Sequence, residues 1–330
     1  MMRRREFISL LLGGAAGWPL AVRAQQGERM RRIAVLHNYG SDDAEGQTRL
    51  TAFGQGLQQR GWTVGRNLRI DYRWTAGDAE RIRKIVAEVV ALAPDVILAA
   101  GGRNLSVLQQ VNRTIPVVFV SISDPVAGGF VESLARPGGN ATGFSTEEYG
   151  MSGKRVELLK EIAPRVTRAA VLRDPANPSG TGQLGAALAV APSFGVELTP
   201  LGVRDAGEIE RGISAFAQLP NSGLIVTAGI LTAIHRELIV SLAARHRLPA
   251  VYPNRYFISS GGLISYGADD VDVYRGAADY VDRILRGDKA ADLPVVQPTK
   301  FVLIINLKPA RALGLEVPST LLARADEVIE

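Results

Sequence analysis

The chain has 330 residues, a formal net charge of +5, three histidines and no cysteine. Apolar residues make up 46% of it and charged residues 22%, which is typical of a globular protein and excludes a disordered, collagen-like or coiled-coil chain. The lack of cysteine excludes disulfides, thiolate metal sites and a lipid-anchored cysteine. The three histidines do not have the spacing of a zinc site, so we predict no metal and no cofactor.

The first segment in chain order, residues 1–24, is predicted to be a signal peptide. Three arginines at residues 3–5 precede an apolar stretch that begins at Phe7, and Ala24 ends a plausible cleavage site. Paired arginines in this position are typical of a twin-arginine signal, and the alternative is an ordinary secretory signal. We therefore expect an exported, soluble protein of the periplasm without a lipid anchor.

The net charge gives little indication of a nucleic-acid partner. Residues 1–24 hold four arginines and one glutamate, so their removal lowers the formal charge from +5 to +2. The remaining charges of both signs are interspersed and form no basic stripe with aromatic side chains. A helix-turn-helix is also missing before the first predicted strand, so we expect no nucleic-acid binding.

From residue 31 onward, short apolar segments rich in β-branched residues alternate with segments of helical periodicity, which predicts parallel sheets covered by helices. In the first half, the predicted strands are Ile33–His37, Leu68–Tyr72, Val96–Ala100 and Val117–Val120, and the helices are Ala44–Arg60, Ala79–Leu92 and Asn104–Asn112. In the second half, the predicted helices are Ser152–Ile162, Gly180–Phe194, Ala206–Gln218, Leu231–Arg245 and Val271–Arg286, and the strands are Ala169–Leu172, Val196–Leu201, Leu224–Thr227, Ala250–Tyr252, Leu263–Tyr266 and Phe301–Ile305, followed by a short helical C-terminus.

Ligands of open α/β sheets bind beyond the carboxyl ends of the strands, so the residues that follow each strand are the candidate site. Most of these are short hydrogen-bonding side chains, joined by a few aromatic and cationic ones, which suits a small polar or zwitterionic ligand. The candidates are Asn38, Tyr39, Gly102, Arg103, Asn104, Ser121, Ser123, Asp124, Asp174, Asn177, Thr227, Asn254, Arg255 and Tyr266.

Several of these residues also have structural interpretations that the sequence leaves open. Asp124 before Pro125 and Asn177 before the next proline are typical of helix starts, and a cap can also touch a ligand. Arg103 could be a solvated charge and Tyr39 a packing residue, while His37 is more typical of a core histidine than of a ligand contact. Gly101 and Gly102 could simply form a tight turn.

No catalytic motif is present: the chain contains no G-x-S-x-G elbow, no P-loop and no H-E-x-x-H sequence. We therefore predict a protein that is not an enzyme. An exported α/β enzyme is the less favoured alternative.

Several segments carry a resemblance to a known family. Among them are Ser123-Asp124-Pro125-Val126, RPGGNATG at 136–143, GGLISYG at 261–267, PTKF at 298–301 and the ending LLARADEVIE at 321–330. With them the chain resembles the ABC transporter substrate-binding proteins of the family that includes tryptophan- and tyrosine-binding lipoproteins. The ending is similar to that of a twin-arginine-exported subgroup.

The resemblance implies a periplasmic-binding-protein-like fold of type I, with two three-layer α/β/α lobes joined by a three-segment hinge. Lobe 1 would comprise residues 31–145 and 268–299, and lobe 2 residues 146–267 and 300–330. The implied function is capture of a small polar ligand, such as an amino acid or a related compound, between the lobes. A monomer would then deliver this ligand to a membrane permease with a cytoplasmic ATPase. A ligand-sensing partner of a membrane receptor is the alternative.

One departure from the family concerns the ligand's charge. Amino-acid-binding members are expected to carry an acidic residue after the strand that corresponds to Leu224–Thr227, where this chain has Ala228-Gly229-Ile230. Asp124 and Asp174 remain as candidate counter-charges for an ammonium group. Without one, the ligand would be uncharged or anionic.

Overall fold

A computed structural model describes residues 30–330 of the chain. Its strands are β1 (Arg31–His37), β2 (Leu68–Trp74), β3 (Val96–Ala100), β4 (Val117–Ile122), β5 (Ala141–Ser145), β6 (Arg168–Arg173), β7 (Glu197–Gly202), β8 (Ser222–Val226), β9 (Ala250–Tyr252), β10 (Ile264–Ala268), β11 (Phe301–Asn306) and β12 (Glu327–Ile329). The predicted signal peptide lies outside the described residues. Within them, no helix combines the length and the apolar character that a bilayer crossing requires.

The helices alternate with these strands. They are α1 (Ala44–Gln59), α2 (Ala79–Ala91), α3 (Gly102–Val111), α4 (Gly150–Ile162), α5 (Pro178–Val190), α6 (Ala206–Phe216), α7 (Ile230–Ile234), α8 (Arg236–Arg245), α9 (Arg255–Ser259), α10 (Asp270–Arg286), α11 (Leu307–Leu313) and α12 (Ser319–Leu322).

The first sheet has the order β2-β1-β3-β4-β5 and is parallel throughout. Successive side chains of a strand point to opposite faces of the sheet. Helices cover both faces here, so the inner strands are buried on both sides. In β1, Ile33 and Val35 pack with α1 and α10, whereas Ala34 and Leu36 pack with α2 and α3. The result is a three-layer lobe.

The second sheet has the order β12-β11-β10-β9-β8-β6-β7 and is parallel except between β10 and β11. In β6, Ala170 and Leu172 pack with α6, α8 and α9, and Ala169 and Val171 pack with α4 and α5. This half is therefore also a three-layer arrangement.

The chain passes between the two sheets three times. It does so between β5 and α4, between β10 and α10, and between Val296 and β11. Val296 still belongs to the first half, because its N–H donates to the Gly143 carbonyl at 2.9 Å. Helix α10 likewise packs on the first sheet, although β10 belongs to the second. The exact lobe ranges inferred from the sequence stay a prediction.

Three local features differ from the sequence prediction. The Ser123-Asp124-Pro125 segment starts no helix, because residues 125–129 form turns that end at Gly129 with φ +70°. The helix predicted over 231–245 is interrupted at His235, which separates α7 from α8. The C-terminus also contains a strand, β12, which pairs in parallel with β11.

Candidate functional site

A cleft lies between the two sheets, where the carboxyl ends of their parallel strands face each other. It encloses about 890 Å³ of empty space, part of which is open to solvent. The loops after β1, β3 and β4 line it from the first sheet, and the loops after β8 and β9 line it from the second. Ligands bind at this edge of open α/β sheets.

Most of the residues that the sequence indicated lie in this cleft. The structure brings together nine of them: Asn38, Tyr39, Gly102, Arg103, Asn104, Ser121, Ser123, Asn177 and Asn254. They come from loops far apart in the chain, and their shared feature is the position directly after a strand or at the start of the following helix. Their role in ligand binding stays a prediction.

The two predicted counter-charges do not line the cleft, because both carboxylates have partners of their own. Asp124 Oδ1 accepts hydrogen bonds from the backbone N–H groups of Val126 and Ala127, at 3.1 and 2.9 Å. Asp174 is buried and accepts from Arg103 Nη2 at 2.5 Å. Neither residue is among those that line the cleft, and Asp174 is already paired with a lining arginine.

Three further predicted residues also lie outside the lining. Thr227 is buried, and its hydroxyl donates to the Leu172 carbonyl at 2.9 Å. The Arg255 guanidinium is turned toward the edge of the second sheet, where Nη2 donates to Glu327 Oε1 at 2.8 Å. The Tyr266 ring packs on the core formed by α4, α5 and the second sheet.

The cleft also contains a buried ionic cluster that sequence reasoning missed. Arg49 of α1 donates to Asp270 of α10 at 2.8 Å, and its guanidinium lies 4.9 Å from the ring centre of Tyr39 and 5.5 Å from that of Tyr256. Asn254 donates to the same Asp270 oxygen at 3.1 Å. The cluster joins both halves of the molecule, because Asn254 and Tyr256 belong to the second and the other three residues to the first.

One signal in the sequence could have revealed Arg49. It lies beside Leu50 and one helical turn before Phe53, so it occupies the apolar stripe of α1. A charged residue on such a stripe is rarely buried unless it is paired. Asp270 could not have been named as its partner, because 221 residues separate the two.

A second buried ion pair lies at the first connection between the sheets. Glu147 and Arg155 are 2% and 1% exposed, and Arg155 Nη1 donates to Glu147 Oε1. The same guanidinium donates through Nε to the Tyr266 carbonyl at 3.2 Å. Burial raises the pKa of Glu147, and the Arg155 charge opposes that shift. Both side chains line the cleft.

Two ion pairs cross the cleft from one half of the molecule to the other. Arg103 of α3 meets Asp174 after β6 at 2.5 Å, and Arg236 of α8 meets Asp43 before α1 at 2.9 Å. We call these the cross-cleft ion pairs. They can form only when the two sheets approach each other, so the structure has a closed cleft.

Two backbone features shape the first-sheet wall of the cleft. The register between β4 and β5 shifts between Phe119 and Ile122, and Ser121 at this irregularity has φ +58°. Bulges of this kind re-aim side chains, and here the cleft receives Ser121. Gly101 has φ +85°, and a Cβ there would lie 2.9 Å from Asn38 Nδ2. Glycine is thus required both by the turn and by the neighbouring side chain.

His37 lies behind the cleft wall and is not part of its lining. Its Nδ1 accepts from the Tyr39 N–H at 3.3 Å, and its Nε2 lies 3.1 Å from the Tyr274 hydroxyl. Burial lowers the pKa of His37 to about 3, and the nearby Arg49 charge acts in the same direction. The imidazole is therefore a neutral packing group, as the core interpretation of the sequence expects.

Comparison with known proteins identifies the family. The family profile described as "ABC transporter substrate binding protein" matches residues 39–329. The chain belongs to this family. A curated relative, the tyrosine-binding protein of Clostridioides difficile strain R20291, is 23% identical over 336 residues, which cover 96% of this chain and 94% of the relative.

Solved structures of other proteins show the same fold. A conserved domain protein of Vibrio cholerae is 26% identical, with a TM-score of 0.85 over 91% of this chain and 100% of the other. A Streptococcus pneumoniae ABC domain in complex with L-Trp is 24% identical, with the same score and coverage. A ligand-free, open substrate-binding protein of Clostridium difficile is 23% identical, with a TM-score of 0.68 over 91% of this chain and 99% of the other. The prediction of a type I periplasmic-binding-protein-like α/β fold is confirmed.

Proposed function

We propose that this substrate-binding protein is the solute receptor of an ABC importer and captures an amino acid or a related small polar compound in the cleft between its sheets. The observation that carries the proposal is the polar cleft itself, which is lined from both sheets and closed by ion pairs across it. A ligand held there is removed from water, so a compound that cannot pair with the buried polar groups is rejected. This function requires no covalent step and no cofactor.

The closed cleft supports capture by hinge motion. The TM-score is 0.85 against the L-Trp complex and 0.68 against the ligand-free, open structure, although the identities are 24% and 23%. The protein thus resembles the L-Trp complex more than the ligand-free, open structure. The three connections between the sheets are the places where a hinge can act, and closure there would bring Arg103 to Asp174.

The ligand class follows from the lining and from the relatives. Aromatic rings from Tyr39 and Tyr256, buried ion pairs and uncapped backbone N–H groups at the start of α3 suit a zwitterion with an apolar side chain. The tyrosine-binding relative and the L-Trp complex make aromatic amino acids the first compounds to test.

The cellular setting is also part of the proposal. Residues 1–24 would direct export through the twin-arginine route, and the mature monomer would work in the periplasm. The loaded, closed form would then dock on a membrane permease whose ATPase lies in the cytoplasm.

A thermal-shift screen of residues 25–330 tests the solute-binding function. The panel contains the amino acids, short peptides, nucleobases and small carboxylates. A ligand that binds only the folded protein at a hundredfold excess over Kd stabilises it by about 2.7 kcal/mol, so a hit raises Tm in a saturable way. Chemical conversion of a hit by the protein would overturn the proposal in favour of an enzyme, and a flat response to all these solutes would remove amino acids as the ligand class.

A further inference from the structure

The charges of the cleft balance each other but leave particular atoms without partners. Its three lining arginines each have a carboxylate partner: Arg49 with Asp270, Arg103 with Asp174 and Arg155 with Glu147. Among the described residues, the buried side-chain atoms without a hydrogen-bond partner nevertheless include four from this lining, namely Asn38 Oδ1, Glu147 Oε2, Arg49 Nε and Ser121 Oγ.

Two of these four atoms, an oxygen of the ionised Glu147 carboxylate and the Asn38 amide oxygen, can only accept hydrogen bonds. Glu147 Oε1 accepts a hydrogen bond from Arg155, but Oε2 of the same carboxylate has no partner. The side chain is only 2% exposed. Asn38 Oδ1 is a carbonyl oxygen. Buried acceptors without donors cost free energy, and a charged one costs more than a neutral one. A ligand that pairs with these two acceptors must therefore supply hydrogen-bond donors, and beside a carboxylate a cationic donor is favoured.

The other carboxylates near the cleft are less suited to this role. Asp270 Oδ2 already accepts from both Arg49 and Asn254. Asp174 accepts from Arg103 and also, through Oδ1, from the Ala176 N–H at 2.8 Å. Among the described residues that line the cleft, Glu147 is thus the one whose carboxylate has a buried oxygen without a partner.

An α-ammonium group has the chemistry that this arrangement lacks. It carries three N–H donors and one positive charge, which matches two unpartnered acceptors in one cleft, Glu147 Oε2 and Asn38 Oδ1. Arg49 Nε, a donor without a partner, would suit the carboxylate of the same ligand. Asn38 follows β1 of the first sheet and Glu147 lies on the first connection between the sheets, so a shared ammonium would tie the hinge to the first lobe.

Building on the solute-binding function proposed above, we infer that Glu147, with Asn38, is the recognition site for the ligand's ammonium group. The ligand class is accordingly an amine-bearing zwitterion and not an anion or an uncharged solute. The counter-charge comes from the connection between the lobes and not from the position after β8, where this chain has Ala228, Gly229 and Ile230.

The first test compares amino acids with their deaminated counterparts on residues 25–330. Calorimetric titrations use L-tyrosine against 3-(4-hydroxyphenyl)propanoate and L-tryptophan against indole-3-propanoate. We expect at least one amino acid to bind roughly 100-fold or more tightly than its counterpart, because the deaminated acid leaves Glu147 Oε2 unpaired. Equal binding of the two, or failure of both amino acids to bind, overturns the ammonium site. The solute-binding function still stands if another small solute binds, and falls if a bound solute is turned over.

The second test uses Glu147→Gln. It should reduce the preference for the amino acid over its deaminated counterpart by at least about tenfold, because the carboxylate charge is lost. The adjacent Glu148 is exposed, so Glu148→Gln is a matched control that should keep the wild-type preference. Since Glu147→Gln leaves Arg155 buried without its partner, the double variant Glu147→Gln/Arg155→Gln removes both charges and keeps the comparison valid if the single variant folds poorly. A wild-type preference in a folded variant would refute the assignment.

Discussion

The pair between Arg103 and Asp174 should hold the cleft closed, and the variant Asp174→Asn tests this directly. Asp174 does not line the cleft, so its substitution removes the ion pair without removing a ligand contact. The amide that replaces it can still accept from the Ala176 N–H. In an opened cleft both ions would meet water, so the cost of losing the pair falls on the closed form alone.

The magnitude follows from the burial of the two side chains. Asp174 is 3% exposed and Arg103 is 33% exposed, so the pair lies between a fully buried one, whose loss costs about 3–5 kcal/mol, and a surface one, which contributes about 0–1 kcal/mol. A cost of about 2 kcal/mol weakens the apparent ligand affinity about 30-fold, since each 1.4 kcal/mol is a factor of about ten. The affinity is measured by calorimetry with the solute that gives the largest thermal shift.

A similar ion pair inside one lobe provides the control. Arg32 and Asp71 lie 2.7 Å apart within the first sheet, with exposures of 28% and 11%. Asp71→Asn should lower the free energy of unfolding but leave the ligand affinity unchanged. The reasoning is wrong if Asp174→Asn binds as tightly as the wild type, or if Asp71→Asn weakens binding to the same extent.

Three further predictions follow from the contacts described. Arg236→Gln, which removes the ion pair with Asp43, should weaken binding by about tenfold in calorimetry, and an affinity equal to that of the wild type would contradict a closing role. Native His37 stays neutral to about pH 3, whereas histidine in the unfolded chain is protonated near pH 6.5. The free energy of unfolding should therefore fall by about 1.4 kcal/mol per pH unit as the pH drops between these values. The variant His37→Gln should flatten this part of the profile of unfolding free energy against pH, and an unchanged slope would refute the assignment. Gly267→Ala should lower the free energy of unfolding by about 3 kcal/mol in urea, because a Cβ there would lie 1.8 Å from the Pro253 carbonyl oxygen, and a variant as stable as the wild type would show that this contact relaxes freely.

The fold could be predicted because its strands are buried on both faces and its helices alternate with them. The apolar segment Val96–Ala100, for example, has the same bounds in the sequence prediction and in the structure, since every residue of it is buried. The sequence predicted a helix after Ser123, but the segment forms turns. Asp124 accepts hydrogen bonds from backbone N–H groups in such a turn just as it would at a helix start, and Pro125 suits either. The strand Glu327–Ile329 is too short and too polar to produce an alternating pattern.

The sequence could name only those cleft residues that directly follow a strand. Asn38 and Asn254 could be named from that rule, and both line the cleft. Arg49 lies inside α1 and Asp270 is the first residue of α10, so the two meet only through the tertiary fold. Arg255 shows the reverse error, since it directly follows a strand region but turns to Glu327 at the sheet edge.

The return of α10 to the first lobe has a consequence for synthesis on the ribosome. Residues 31–145 supply every strand of the first sheet, yet the helix that covers α1 emerges only after the second lobe has begun. A nascent chain that has passed Ser145 therefore still exposes the apolar face later covered by Tyr274 and Val281. Neither lobe is a contiguous folding unit, so co-translational folding should reach completion only near the end of the chain, where protection by a chaperone would matter most.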